Sequence, residues 1–122
     1  MGKAAEVNAK LGQDWLDAFN AHDVELLLSL YARDCTHTSP KIRAMLPETG
    51  GTLVGKPALH QWWADAMVRL PKLQYEKLSI TASDERVFLE YMRHTPGEAS
   101  YPVAEVFDAR DGKIIASRVY HG

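Results

Sequence analysis

The stretch YPVAEVFDARDGKIIASRVYHG, residues 101–122, decides the fold of this chain. Two runs rich in strand-forming residues, 101–109 and 113–121, flank the pair Asp111-Gly112, which can adopt the positive φ values that a tight hairpin turn requires. Because side chains alternate between the two faces of a strand, the register of this hairpin decides which polar groups share a surface.

Two registers are compatible with this turn. A three-residue loop over residues 110–112, with Gly112 as a bulge, pairs Glu105 with Ser117. A two-residue loop pairs Glu105 with Arg118 instead, as an ordinary cross-strand ion pair. We predict the three-residue loop, which places Glu105, Ser117 and His121 on one surface.

Length and composition predict one domain over residues 1–122, without nucleic acid or a membrane as partner. The net charge is −2, with no run of like charges that would bind a polyanion or an anionic membrane. The single Cys35 cannot form an internal disulfide, and no apolar segment has the length of a signal peptide or a membrane span. We therefore expect a soluble, cytoplasmic protein.

Hydrophobic periodicity, caps and prolines predict helices first and strands last. The predicted helices cover residues 4–20, 24–31 and 57–70. The predicted strands cover residues 34–39, 73–82, 86–94, 101–109 and 113–121, and residues 40–56 read as a loop. This order is typical of an α+β fold with a curved, mainly antiparallel sheet packed against helices. Glycine-rich phosphate loops, nucleophile elbows and zinc-type spacings are lacking in the sequence, so we predict no metal and no cofactor.

Three segments, taken together and in order, resemble one superfamily: WLDAFNAHDVELLLSLYARDCTHTSP, LVGKPALHQWW and VAEVFDARDGKIIASRVYHG. The superfamily includes nuclear transport factor 2, ketosteroid isomerase, scytalone dehydratase, limonene epoxide hydrolase and the SnoaL-like polyketide cyclases. The resemblance implies a cystatin-like, cone-shaped α+β roll, with three N-terminal helices on the curved sheet and a deep pocket between them. It also implies a homodimer through the outer sheet face, which we expect to carry Val106, Ile114 and Tyr120.

The resemblance can be followed residue by residue. Trp15 falls where ketosteroid isomerases place a hydrogen-bonding Tyr, and Ser39 falls where they keep their Asp base. Glu105 falls where they hold a protonated Asp in an apolar site. Because the base is missing, the chain is not expected to be a standard ketosteroid isomerase.

Three residues are predicted to be catalytic. His37 shares a strand face with Ser39 and is the general-base candidate, because imidazole titrates near neutrality. Glu105, if buried, would have a raised pKa and act as an acid or orient a histidine. His121 could replace His37. The remaining pocket residues are predicted to contact substrate: Trp15, Ser39, Trp63, Val103, Phe107, Ser117 and Val119.

Two functions remain open at this level. The first is a cofactor-independent isomerase, dehydratase, cyclase or epoxide hydrolase acting by acid–base chemistry on a small hydrophobic molecule. The second is a non-catalytic module of the same fold that binds a ligand or only dimerises. A structural interpretation also exists for each residue: Glu105 could pair with Arg118 or Arg93, and His37 could satisfy a core partner. Convergence of His37 and Glu105 on one cavity separates these alternatives.

Overall fold

A computed structural model of the protein describes residues 2–121 as helices packed on one curved sheet. The helices are α1 (Lys3–Asn20), α2 (Val24–Ser29), α3 (Pro40–Met45) and α4 (Lys56–Arg69), with a short 3₁₀ helix at Pro47–Thr49. The strands are β1 (Tyr31–Thr38), β2 (Thr52–Val54), β3 (Gln74–Ala82), β4 (Arg86–His94), β5 (Tyr101–Arg110) and β6 (Lys113–His121). They form the order β2-β1-β6-β5-β4-β3, in which β1 and β6 pair in parallel and the other neighbours are antiparallel. The predicted α+β class is confirmed.

The predicted loop over residues 40–56 contains regular structure, so that part of the prediction is wrong. Ser39 begins α3 as its N-cap, because its Oγ accepts a hydrogen bond from the Lys41 N–H across 3.1 Å. The six-residue α3, the 3₁₀ helix and the three-residue β2 are each too short to show periodicity in sequence. The second helix is also shorter than predicted, since Tyr31 already belongs to β1.

The β5–β6 hairpin has the two-residue turn of the alternative prediction rather than the favoured three-residue loop, but a bulge changes the register beyond the turn. Asp111 and Gly112 form a two-residue turn with positive φ values of 52° and 74°, and a bulge at Ile115 follows. Glu105 therefore lies opposite Val119 rather than Ser117 or Arg118, and both predicted pairings are wrong. The shift from the favoured register is two residues, an even number, so Glu105, Ser117 and His121 still share the inner face.

The outer sheet face differs from the expected one at a single position. The two-residue turn pairs Ile114 with the inward-facing Ala109, and Ile114 is fully buried, so it does not belong to the outer face as predicted. Val106 and Tyr120 do lie on that face, where Tyr120 is 53% exposed. A homodimer through this face stays a prediction.

Aromatic side chains from α1 and the inner sheet face form the centre of the core. The Trp15 ring packs against Phe19 at 5.4 Å and Phe107 at 5.3 Å between centroids. Tyr75 stacks on both Phe19 and Tyr91 at 4.0 Å. Large apolar rings buried in this way fix α1 across the sheet. None of the helices in residues 2–121 combines the length and apolar character needed to cross a membrane.

Candidate functional site

A cavity of ≈ 340 Å³ lies between the helices and the concave face of the sheet. This volume is at the small end of the range for ligand-binding pockets, about 300–1,000 Å³. Its polar lining comes from the inner face of the sheet, from α3 and its cap, from α4 and from the β4–β5 turn: His37, Ser39, Lys41, Arg69, Arg93, Glu98, Glu105 and His121. Its apolar and aromatic lining includes Phe19, Trp62, Trp63, Leu70, Leu73, Tyr75, Tyr91, Val103 and Val119. The cavity is therefore an apolar space with a few convergent polar groups.

Glu105 is the most unusual polar group in this cavity. Its side chain is buried, with only 2% exposure, and Tyr91 on the neighbouring strand donates a hydrogen bond to Oε1 across 2.8 Å. Within residues 2–121 the second oxygen, Oε2, has no hydrogen-bond partner. Burial raises the pKa of Glu105 to about 8, and the bond from Tyr91 only partly offsets that rise. The carboxyl group is therefore largely protonated at neutral pH and can donate from its free side.

Three phenols surround this carboxyl group. Burial, and secondly the charge that Glu105 would carry, raise the pKa values of Tyr31, Tyr75 and Tyr91. All three hydroxyls consequently keep their hydrogens throughout the neutral range and act as donors. Ionisation of Glu105 is unfavourable at this position, because a buried carboxylate loses the hydration that it needs.

His37 ends a buried series of four hydrogen-bonded side chains, which we name the Trp15 series (Trp15, Tyr31, Ser117, His37). The Trp15 Nε1–H donates to the Tyr31 hydroxyl across 3.2 Å. The Tyr31 hydroxyl lies 3.1 Å from Ser117 Oγ, which in turn lies 2.6 Å from His37 Nδ1. All four residues are at most 2% exposed, so water does not compete for these bonds.

The directions of these bonds fix the tautomer of His37. An indole nitrogen can only donate, so the Tyr31 hydroxyl accepts a hydrogen bond from Trp15. It donates its own hydrogen bond to Ser117, its other partner in residues 2–121. Ser117 then donates to His37 Nδ1, and the ring hydrogen of the neutral imidazole resides on Nε2. Burial lowers the pKa of His37 to about 3, so the ring is neutral at pH 7.

His37 therefore presents an N–H donor to the cavity rather than a lone pair. Its Nε2 has no side-chain or backbone partner among the described residues, and the ring packs against Trp63 at 4.8 Å. An imidazole in this state polarises an oxygen atom instead of removing a proton. This geometry opposes the general-base role that the sequence suggested for His37.

The rim of the cavity is charged. His121 lies there, exposed over most of its surface. Burial of the remaining part, together with Lys41 and Arg93, lowers the pKa of its imidazole, so the ring is neutral at pH 7 and has a lone pair that no residue in 2–121 occupies. Arg93 is only 4% exposed, pairs with Glu98 at 2.7 Å and packs over the Tyr101 ring at 5.5 Å. The rim thus combines a neutral imidazole with a buried cation, Arg93, and a half-buried one, Lys41.

Four of the seven predicted substrate-binding residues line the cavity: Ser39, Trp63, Val103 and Val119. The Ser39 hydroxyl caps α3 and so cannot act as a base. The other three residues lie in the layer behind the cavity lining. Trp15 and Phe107 pack against each other in the core, and Ser117 lies between Tyr31 and His37. They support the site from behind.

Sequence reasoning did not assign Tyr91, Arg93 or Lys41 to the site. It named Arg93 only as a possible ion-pair partner of Glu105, whereas Arg93 pairs with Glu98. Tyr91 and Arg93 lie on the inner face of β4, and their burial alternates with that of exposed neighbours along the strand. That period of two was visible in sequence, with Val87 and Leu89 continuing the same face. Lys41 belongs to α3, which the sequence did not predict.

A second depression, of ≈ 850 Å³, lies near the start of α1 and the β5–β6 turn. Half of its lining residues are charged and it is open to solvent, and residues 2–121 place no buried unpartnered polar atom there. The described residues also contain no group of three or more His, Cys, Asp or Glu side chains arranged to hold a metal ion. The chemistry is therefore assigned to the inner cavity.

Comparisons with known proteins agree with this architecture. A SnoaL-like protein of unknown function from Burkholderia thailandensis E264 is 27% identical with a TM-score of 0.85, over 96% of this chain and 95% of that chain. An uncharacterised cystatin-fold protein from Novosphingobium aromaticivorans is 18% identical with a TM-score of 0.76, over 93% and 97%. TerC, co-crystallised with polyporic acid, is 19% identical with a TM-score of 0.81, over 95% and 92%. A sequence search of curated proteins found no match.

The family model that matches is that of the SnoaL-like domain, and it covers residues 13–117. This span runs from the middle of α1 to Ser117 on β6 and includes His37 and Glu105. The resemblance noted in the sequence and the cystatin-like roll are both confirmed. The chain belongs to the SnoaL-like domain family.

Proposed function

We propose that this protein is a cofactor-independent acid–base enzyme of the isomerase, lyase or cyclase type. Its substrate is a small, mainly apolar molecule with a carbonyl group. The observation that carries the proposal is the free oxygen of Glu105, a buried and protonated carboxyl group facing a cavity. A buried donor with no partner is costly in the empty protein, and an oxygen atom of a ligand removes that cost.

Two neutral donors supply the oxyanion stabilisation in this proposal. Glu105 donates from Oε2, and His37 donates from Nε2 under the control of Ser117. When a carbonyl compound loses a proton from the adjacent carbon, negative charge collects on its oxygen. Donors fixed in an apolar cavity stabilise that charge more than water does, because they need no reorganisation during the reaction.

His121 is the proposed base. Its imidazole is neutral at pH 7 because its pKa is lowered, and it lies on the inner face two residues beyond Val119. The proton moves from the substrate carbon to the imidazole, and the electron pair of the broken C–H bond moves to the carbonyl oxygen. Return of the proton to another carbon gives isomerisation, and attack of the enolate on a second carbonyl gives cyclisation.

The experiment measures exchange of α-protons in D₂O by NMR, with a set of aryl and cyclic ketones. We expect exchange by the native protein, a loss of about 10²–10³-fold in Glu105→Leu, and retained exchange in Glu105→Gln. The distinction arises because glutamine keeps an N–H donor at this position while leucine has none. Glu90→Leu, on the exposed face of β4, is the matched control and should exchange at the native rate. Equal exchange by the native protein and by Glu105→Leu contradicts the proposal.

A non-catalytic role in ligand binding is the second candidate. The observation that favours it is the burial of His37, whose pKa of about 3 removes the strongest predicted base from the site. In that case ketones would bind with a dependence on Glu105, but none would exchange. Binding without exchange, and without any effect of His121→Gln, would support this role.

A further inference from the structure

We propose that the substrate of this cavity carries a carboxylate, which Arg93 and Lys41 bind at the end opposite to Glu105. The inference rests on the proposed function, since it adds a second recognition point to the same cavity. It commits to a chemical class, namely a small aromatic or alicyclic acid whose carbonyl group lies away from its carboxylate.

The charge of the lining carries the first step. Lys41, Arg69 and Arg93 are cations that line the cavity, whereas Glu98 is the one ionised carboxylate among the described lining residues. Glu105 adds no negative charge while it is protonated. An apolar cavity with an excess of positive charge favours an anionic ligand over a neutral one of the same shape.

The burial of Arg93 carries the second step. Its side chain is 4% exposed, and its single carboxylate partner, Glu98, holds Nη1 and is itself 47% exposed. The remaining guanidinium N–H groups have no hydrogen-bond partner among the described residues, although Arg93 lines the cavity. A guanidinium group offers two parallel donors whose spacing matches a carboxylate, and desolvation strengthens that pairing.

The third observation is the strand register, which places the two recognition points, Glu105 and Arg93, at a distance from each other along the sheet. Glu105 pairs with Leu89, and Arg93 lies four residues further along β4, where it pairs with Tyr101. This spacing is roughly 13 Å along the strand. Tyr91 and Val103 lie between the two points and line the cavity. One molecule with an apolar middle can therefore reach both ends.

Lys41 belongs to the same end as Arg93. Arg93 and His121 both pack against the Tyr101 ring, each at 5.5 Å, and α3, which carries Lys41, packs against β6, the strand that ends at His121. In agreement with this placement, Lys41 and Arg93 add to burial in lowering the pKa of His121. Lys41 forms no ion pair within residues 2–121. It is half-buried in the first turn of α3, two residues after the Ser39 cap, so its position is fixed by the helix.

The test compares matched acids and primary amides by calorimetry: 2-naphthoate, trans-cinnamate and 4-oxo-4-phenylbutanoate. The native protein should bind each acid at least about tenfold more tightly than its amide. Lys41→Gln and Arg93→Gln should each weaken acid binding by about tenfold and leave amide binding unchanged. Lys72→Gln, a lysine outside the cavity lining, is the control and should have no effect.

The outcomes separate this inference from the proposed function. Equal affinity for acids and amides overturns the carboxylate site, as does the absence of saturable binding by every acid up to about 10 mM. If Glu105→Leu loses α-proton exchange while acids and amides bind with equal affinity, the proposed function stands and the carboxylate site does not. Arg93 is buried, so Arg93→Gln could prevent folding. In that case Arg93→Lys, which keeps the charge, and Lys41→Gln, at a half-buried position, are the variants to use. Failure of Lys41→Gln to weaken acid binding also counts against the proposal.

Discussion

Tyr91 donates to one oxygen of Glu105 across 2.8 Å while the other oxygen of Glu105 faces the cavity without a partner in the described residues. The bond fixes the carboxyl group in one orientation, since Tyr91 lies on the adjacent strand and is 1% exposed. The free oxygen is thereby aimed at the ligand space. The pairing of β4 with β5 therefore sets the orientation of the carboxyl group to which the proposed chemistry is assigned.

The stability of the protein should depend on the ionisation of Glu105. The pKa of this group is about 8 in the folded state and 4.5 in the unfolded chain, so between these pH values the unfolded chain loses its proton while the folded chain keeps it. The stabilising contribution of Glu105 to the free energy of unfolding is therefore fully present below pH 4.5 and is lost as pH rises to about 8. Relative to Glu105→Gln, the native free energy of unfolding should fall over this window by an amount on the order of a few kcal/mol.

Urea unfolding at several pH values measures this difference. His37 titrates identically in both proteins, so its opposite contribution cancels in the comparison. Glu90→Gln, on the outer face of β4, serves as the control and should parallel the native protein. A difference between native and Glu105→Gln that stays constant from pH 5 to 8 would count against a raised pKa.

The tautomer of His37 should depend on Ser117. In Ser117→Ala the donor to Nδ1 is removed, so the ring hydrogen is no longer confined to Nε2. We expect ¹⁵N spectra of histidine-labelled protein to show the Nε2–H tautomer in the native protein and a mixture in the variant. Exchange activity should fall by about tenfold or more, because one donor to the substrate oxygen is lost part of the time.

A control for this variant lies on the other face of β1. Thr38→Ala removes a hydrogen bond of 2.9 Å to Thr52 without contacting His37, and it should keep the native tautomer. A native tautomer in Ser117→Ala would show that the Trp15 series does not determine the state of the imidazole.

Two residues that the sequence assigned to substrate contact should behave differently on truncation. Phe107 is fully buried behind the cavity, so Phe107→Ala should cost about 3–5 kcal/mol of stability. Val103 lines the cavity, so Val103→Ala should cost less, about 1–2 kcal/mol, and should change ligand affinity. Chemical denaturation and calorimetry with 2-naphthoate measure both effects. Similar stability losses in the two variants would contradict the assignment of Phe107 to the core.

The fold could be predicted because its strongest signals are local. The apolar periodicity of α1, the prolines that bound α4 and the Asp111-Gly112 turn each define an element without help from the rest of the chain. Short elements gave no such signal: α3 depends on the Ser39 cap and on packing against the sheet. The inward positions of Glu105, Ser117 and His121 were predicted correctly, although the register and the position of Ile114 were not.

The bulge at Ile115 explains that combination. A bulge adds one residue to one strand, and its position depends on twist and packing across several strands rather than on local sequence. The same limit applies to His37. Its strand face followed from alternation, but its tautomer depends on Trp15, Tyr31 and Ser117, which are far apart in sequence and meet only in the folded core.

The protonation state of Glu105 can be observed directly by ¹³C NMR of protein labelled at the glutamate side-chain carboxyl carbon, with Glu105→Gln to assign its signal. We expect the Glu105 signal to stay at the position of a neutral carboxyl group through pH 7 and to titrate near pH 8. A signal that titrates between pH 4 and 5, like that of an exposed glutamate, would contradict the proposed donor and the mechanism that depends on it.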